Sequence, residues 1–232
     1  MQKVALITAA SRGMGAACAR EMSERGYKVV LLARSSEIIS FAEKLGGIGL
    51  QGNVTSKADL KKMVEMSMQK YGRIDAVINN TGHPPKGNLL ELTSDEWRKG
   101  LDMVLLSVTK MAKLVIPIMQ RQGKGAMVNI STFAAFEPSP DFPISSVLRA
   151  ALGSYTKLLA DQFAGDNIRV NNVLPGYIDS YEVNEEILNK IPLKRAGKVE
   201  EIAKTVAFLL SDDAGYITGQ NIKVDGGLTK SV

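Results

Sequence analysis

Thr8-Ala9-Ala10-Ser11-Arg12-Gly13-Met14-Gly15 is the stretch that decides the fold. It follows the strand-like run Lys3 to Thr8 and leads into Met14, Ala17, Cys18 and Met22, whose spacing of three to four residues reads as one face of a helix. Small residues at a strand-to-helix turn let backbone N–H groups approach a pyrophosphate at a helix N-terminus, where the dipole favours negative charge. Thr8, Ser11, Arg12, Gly13, Met14 and Gly15 are therefore candidate phosphate-loop residues.

Outward from this loop, β-branched and aliphatic runs recur at Lys28 to Ala33, Ile48 to Gly52, Ile74 to Asn79, Ala126 to Ser131, Ile168 to Leu174 and Asn221 to Asp225. With the first run they make seven expected strands. Helical spacing separates them, as in Leu60, Met63, Val64 and Ser67. Strict alternation of strand and helix implies parallel strands joined by right-handed crossovers. The expected architecture is a single-domain α/β Rossmann fold: a doubly wound parallel seven-stranded sheet with helices on both faces, residues 1–232 forming one dinucleotide-binding domain. Ligands of such sheets sit beyond the carboxyl ends of the strands. Thr93 and Glu96 form a capping-box pattern opening a long helix towards Gln122, which Pro117 is expected to bend or interrupt. A second long helix is expected from Ser145 to Ala164, closed by Gly165.

Composition narrows the function classes. Hydrophobic residues at 45% and charged residues at 23% describe a globular chain with a packed core. Apolar runs such as Val29 to Ala33 and Ala203 to Leu210 are too short or interrupted to span a bilayer, and no signal-like segment opens the chain, so a cytoplasmic protein without membrane contact is expected. Cys18 is the single cysteine, and no Cys/His cluster has metal-ligand spacing; neither disulfide nor metal is expected. The net charge of +5 comes from scattered Lys and Arg rather than a basic stripe with interleaved aromatics, which argues against nucleic acid.

Five motifs, in order, carry a family resemblance. Thr8 to Gly15 matches T-G-x-x-x-G-x-G except that Ala9 replaces the first glycine; Asn53-Val54 sits where Asp-Val is common beside the adenine; Asn79-Asn80-Thr81-Gly82 is similar to N-N-A-G; Pro175-Gly176-Tyr177-Ile178 to P-G-x-I; and Ile217 to Gln220 with Val224 to Gly227 to a closing strand. Together they resemble the short-chain dehydrogenase/reductase family over nearly the whole chain. The resemblance implies that Asn53, Val54, Asn80, Thr81, Gly82, Pro175, Gly176 and Ile178 line a nicotinamide dinucleotide. It also implies a homodimer or homotetramer, with the helices beginning at Thr93 and Ser145 at one interface. Charge points to NADP(H) over NAD(H): the second strand ends in Ala33 and Arg34 rather than a carboxylate, and Arg12 supplies a second cationic fork for a 2′-phosphate.

In that family a serine, a tyrosine and a lysine work together, with an asparagine on the preceding long helix; the ammonium lowers the phenol pKa from about 10 towards the working pH. Spacing puts Thr132, Ser145 and Arg149 at the first three positions and Val104 at the asparagine position. Thr132 keeps a hydroxyl. Ser145 is too short and too weak an acid to replace the phenol, leaving a void or water, and Arg149 can bond a ribose or an anion but relays protons poorly. Tyr155, ten positions beyond Ser145, falls off the same helix face. His83, the only histidine, follows the fourth strand at the expected mouth of the site and is a minor catalytic candidate. Glu137, Asp141, Tyr177 and Tyr181 are expected to line loops around that mouth. The sequence reading is thus an NADP(H)-binding oxidoreductase of a small carbonyl, imine or hydroxyl substrate, using a non-standard proton route. The other reading is a non-catalytic NADP(H)-binding sensor or partner-binding protein, whose nicotinamide face is blocked by Phe133, Phe136 or Phe142.

Overall fold

The computed structural model describes residues 2–231. Its strands are β1 (Val4–Thr8), β2 (Lys28–Ala33), β3 (Ile48–Gln51), β4 (Ala76–Asn79), β5 (Gly125–Ile130), β6 (Ile168–Pro175) and β7 (Asn221–Val224). All pair in parallel, in the order β3-β2-β1-β4-β5-β6-β7. The helices are α1 (Gly13–Glu24), α2 (Glu37–Lys44), α3 (Lys57–Tyr71), α4 (Ser94–Leu101), α5 (Ser107–Gln122), α6 (Pro143–Phe163), α7 (Glu185–Lys190) and α8 (Val199–Leu210). This is the doubly wound parallel sheet that the alternating pattern implies. No helix among the described residues is long and apolar enough to cross a membrane.

Period-two alternation splits each central strand between two cores. In β1, Ala5 and Ile7 join the layer made with Cys18 and Met22 of α1 and Ile202 and Val206 of α8. Val4 and Leu6 join the layer made with Leu60 and Met63 of α3 and Met111 and Val115 of α5. Because both faces are covered, β1 is buried throughout and shows no polar side. A third, smaller cluster joins α4 to α6 through Trp97, Leu101, Ile144, Leu148 and Leu152. Gly100 makes that contact possible, since a Cβ there would sit 2.3 Å from Ile144 Cγ2.

Two helix expectations need correction. The long helix is not interrupted at Pro117, which lies inside α5; Pro117 and Lys113 are both exposed, so the carbonyl freed four residues earlier lies on the solvent side. The irregularity comes earlier, as a π turn at Asp102–Leu106 between α4 and α5. The helix expected from Ser145 begins at Pro143, whose missing N–H costs nothing in a first turn. It also does not close on Gly165. A 3-10 turn follows, and Asn167 takes the left-handed conformation at φ 59°.

Buried amides tie the central strands together where apolar side chains would leave the register free. Asn79 donates to Asn129 (2.8 Å), Asn129 to Thr156 of α6 (2.9 Å) and to Asn172 (3.0 Å), and Asn172 to Asn221 (2.7 Å). The ladder crosses β4, β5, β6 and β7, from the last residue of β4 to the first of β7. Asn129→Ala strands several of these buried groups and is expected to cost about 3 kcal/mol in urea unfolding. A loss below about 0.5 kcal/mol would show that the ladder is not a structural tie.

Candidate functional site

Strand order reverses between β1 and β4, so the crossovers leaving these neighbours run to opposite sides and open a crevice at their carboxyl ends. A cleft of about 1980 Å³ lies there. Its loop wall is held by two strand-end residues. The Thr8 hydroxyl donates to the Asn80 carbonyl (2.7 Å) and accepts from the Asn80 N–H (2.9 Å), while the Asn80 side chain donates to the Ala9 carbonyl (3.1 Å). Ala9 and Gly13 take left-handed conformations, φ 48° and 54°. At Ala9, where the resembled motif has glycine, this is a strained state for an L residue. A Cβ on Gly15 would sit 2.3 Å from the Ala9 carbonyl oxygen, so only glycine lets the helix start this close to the loop. Helix α1 opens with no side-chain cap and no acidic residue in its first turn, leaving backbone N–H groups free at its positive end.

Ser11, Arg12, Gly13 and Met14 line the cleft, whereas Thr8 and Gly15 stand behind the lining and shape it. Arg34, Asn53 and Val54 line the adenine-side end suggested by the sequence, and Asn80, Thr81, Gly82, Pro175, Gly176 and Ile178 line the middle. Gly176 packs so tightly on the closing strand's turn that a Cβ there would lie 2.8 Å from Asp225 Cα. Glu37, which sequence reasoning passed over, shares the corner with Arg34 and meets the Ser35 hydroxyl at 3.3 Å. The glycine cradle, the free helix N-terminus and the buried, unpartnered Thr81 and Ser131 hydroxyls fit a bound dinucleotide.

At the other end, Thr132, Ser145 and Arg149 line one floor. Thr132 accepts weakly from the Ala134 N–H (3.4 Å). Ser145 sits buried in the first turn of α6, with Arg149 one turn on. Arg149 is only 6% exposed; its Nη1 donates to the Ile130 carbonyl, its Nε has no partner, and burial pulls its pKa down to about 10. Val104 lies on the π turn and is sealed into the apolar cluster of Ile144, Leu148 and Leu152. Tyr155 also belongs to that packing and is absent from the lining.

His83, Asp141, Tyr177 and Tyr181 reach the cleft. The His83 ring stands 5.3 Å from Tyr181, and burial together with the charges of Lys86 and Arg149 lowers its pKa. Tyr177 packs on Phe133 at 5.5 Å. Burial, then the Asp141 charge, push its pKa up, the opposite of what a phenolic proton donor near neutral pH needs. Glu137 is turned away, accepting N–H bonds from Lys230 and, at 2.7 Å, Ser231. Phe136 also lies outside, beneath the Lys223 ammonium (5.5 Å), while Phe133 and Phe142 line the cleft. Lys86, Lys99 and Met103 were missed. Lys86 lies on an irregular loop with no spacing to announce it, its ammonium 4.7 Å from the centre of the Phe142 ring.

A parallel sheet with a cleft at its switch point, walled by a glycine-rich turn, defines the class: a Rossmann-fold protein. Comparison with known proteins narrows this. The family model described as enoyl-(acyl carrier protein) reductase matches residues 8–229. The 3-oxoacyl-[acyl-carrier-protein] reductase FabG of Thermotoga maritima is 35% identical, with 97% of each chain covered. Human dehydrogenase/reductase SDR family member 4 is also 35% identical, covering 97% of this chain and 87% of the relative. Among solved structures, L-sorbose reductase from Gluconobacter frateurii complexed with NADPH and L-sorbose superposes with a TM-score of 0.93 at 28% identity, covering 100% of this chain and 98% of that one. YwfH, an NADPH-dependent reductase involved in bacilysin biosynthesis, superposes at 0.95 with 28% identity and full coverage of both chains. The chain belongs to the short-chain dehydrogenase/reductase family, whose similar members here are oxidoreductases.

Because His83 is the only histidine, its ring protons report its titration without assignment. NMR is expected to place its midpoint below the ordinary 6.5, and Lys86→Met should move it upward. A midpoint at or above 6.5 would contradict the charge arrangement described here.

Proposed function

We propose that this chain is an NADP(H)-dependent oxidoreductase acting on a small carbonyl, imine or hydroxyl compound, in which Thr132, Ser145 and Arg149 occupy the family's serine, tyrosine and lysine positions. The observation that carries the coenzyme assignment is that Arg12 and Arg34 both line the cleft that the free N-terminus of α1 faces, with no ion-pair partner for either among the described residues. Two planar forks suit a 2′-phosphate and would be poorly used on a 2′-hydroxyl. Both solved relatives, one complexed with NADPH and the other an NADPH-dependent reductase, support the same choice. When bound, NADP(H) supplies or accepts the hydride.

The chain's own residues then have distinct tasks. Backbone N–H groups from Ser11 to Met14 hold the pyrophosphate, Arg12 and Arg34 take the 2′-phosphate, and Asn53 with Val54 borders the adenine. Asn80, Thr81, Gly82, Pro175, Gly176 and Ile178 wall the nicotinamide end. Thr132 offers a hydroxyl donor to orient a substrate oxygen. Ser145 can hold a water but is a poor acid, and Arg149 stays charged near neutrality, so the proton comes from solvent or from the substrate. His83, with its lowered pKa, is the remaining titratable candidate at the mouth. We further propose one dinucleotide-binding domain over residues 1–232, cytoplasmic, assembled as a homodimer or homotetramer; the exposed Val147 and Leu158 on α6 support burial of that helix between subunits.

Calorimetry tests the coenzyme. NADPH is expected to bind at least tenfold tighter than NADH, and Arg34→Ala to remove most of that preference; equal affinities would contradict it. Rebuilding the relay tests the chemistry. Ser145→Tyr combined with Arg149→Lys is expected to raise carbonyl-dependent NADPH oxidation about 10²-fold. An unchanged rate, with coenzyme binding retained, would count against the replaced relay. Tight NADPH binding with no turnover across carbonyl and imine panels would instead favour the non-catalytic sensor.

A further inference from the structure

Four side-chain polar atoms among the described residues are buried without a hydrogen-bond partner: Tyr71 Oη, Thr81 Oγ1, Ser131 Oγ and Arg149 Nε. All but Tyr71 belong to residues lining the cleft, and of these only Arg149 carries a charge. Every ion pair among the described residues lies elsewhere. A guanidinium that is 6% exposed and answered by one backbone carbonyl is an expensive charge to hold. A ribose hydroxyl can fill its spare hydrogen-bonding edge, but only an anion balances its charge, and no carboxylate among the described residues does so.

The surroundings favour the same ligand. Lys86 and Lys99 line this end of the cleft without ion-pair partners, and Lys86 and Arg149 act together on the His83 imidazole. Five carboxylates line the cleft as a whole, Glu37, Asp141, Asp179, Glu182 and Glu200, and none of them pairs with these cations. Helix α6 is 21 residues long and opens beside them with no capping side chain and no acidic residue in its first turn, where Ser145 lies. The guanidinium uses Nη1 on Ile130, which leaves the Nε–Nη2 edge spare. Arg73 shows what that edge does here: it grips Asp75 through Nε (2.9 Å) and Nη2 (2.7 Å). The 2′-phosphate forks Arg12 and Arg34 belong to a different end of the cleft, so Arg149 is not needed there.

We infer that the floor formed by Arg149, Ser145 and Lys86 is a carboxylate-binding site, which makes the substrate a small organic acid rather than a neutral carbonyl compound. This rests on the reductase reading only for naming the ligand a substrate. The rings of Phe133, Phe142 and Tyr177 around the floor suit a compact apolar body attached to the acid group.

A matched pair of probes tests it by calorimetry: cyclohexanecarboxylate and its neutral isostere cyclohexanecarboxamide, titrated into the full chain with and without NADPH. The acid is expected to bind at least tenfold tighter than the amide, and Arg149→Met to erase the difference. Lys86→Met, on an exposed side chain, should reduce acid binding severalfold at low salt and less at high salt, which keeps the test available if Arg149→Met fails to fold. Equal binding of acid and amide to the unaltered chain, or binding of neither, overturns the inference. NADPH titrated in the same experiment separates the two levels. Failure of NADPH to bind removes the reductase reading, whereas NADPH binding without discrimination between the probes removes the carboxylate site alone.

Discussion

The two hydrogen bonds between the Thr8 hydroxyl and the Asn80 backbone, with the third from the Asn80 side chain to Ala9, lock the ends of β1 and β4 together at the one place where the sheet reverses direction. Every feature of the cleft is measured from that joint. It fixes the carbonyl of Ala9 against which Gly15 packs, and hence how close the positive end of α1 comes to the crevice. It also fixes Thr81 and Gly82, the next residues along β4's exit. Ala9 sits in a left-handed conformation that costs an alanine on the order of 1 kcal/mol. The bonds made around it hold the chain in that state.

Polar groups inside the sheet divide into two kinds. The Asn79, Asn129, Thr156, Asn172 and Asn221 ladder is mutually satisfied, so it sets strand register at little net cost. Arg149, bonded to the last carbonyl of β5, is incompletely satisfied. A satisfied network describes structure, whereas an unsatisfied charge beside a cleft is the observation on which the proposed carboxylate site rests. The same contrast separates Tyr177, whose phenol is made a weaker acid by burial and Asp141, from a group prepared to give up a proton.

Most of the fold was legible because both of its signals are local. Short β-branched and aliphatic runs located all seven strands to within one or two residues, and three-to-four-residue apolar spacing marked helices between them. The glycine-rich turn located the crevice. Helix ends were less legible, because Pro117 is tolerated wherever its freed carbonyl meets solvent, and Asn167 can close a helix where glycine is expected. The π turn at Asp102–Leu106 has no residue signature at all. At the cleft, the strand-end residues named from their motifs line it or stand behind its lining. Lys86, Lys99 and Glu37 were missed because they come from irregular loops or helix surfaces, where spacing does not encode direction. Glu137 misled for the same reason: it serves the C-terminal segment through Lys230 and Ser231.

The central claim is that this fold holds a nicotinamide coenzyme over a floor that has exchanged a proton-relaying phenol for Ser145 and a buried cation. The most direct measurement is a crystal structure of the chain with NADP(H) bound. The account predicts the nicotinamide ring above Thr132 and Ser145, with Arg149 beneath and no tyrosine hydroxyl near its reactive carbon. A Tyr177 hydroxyl within about 3.2 Å of an oxygen-bearing ligand atom at that carbon would contradict it.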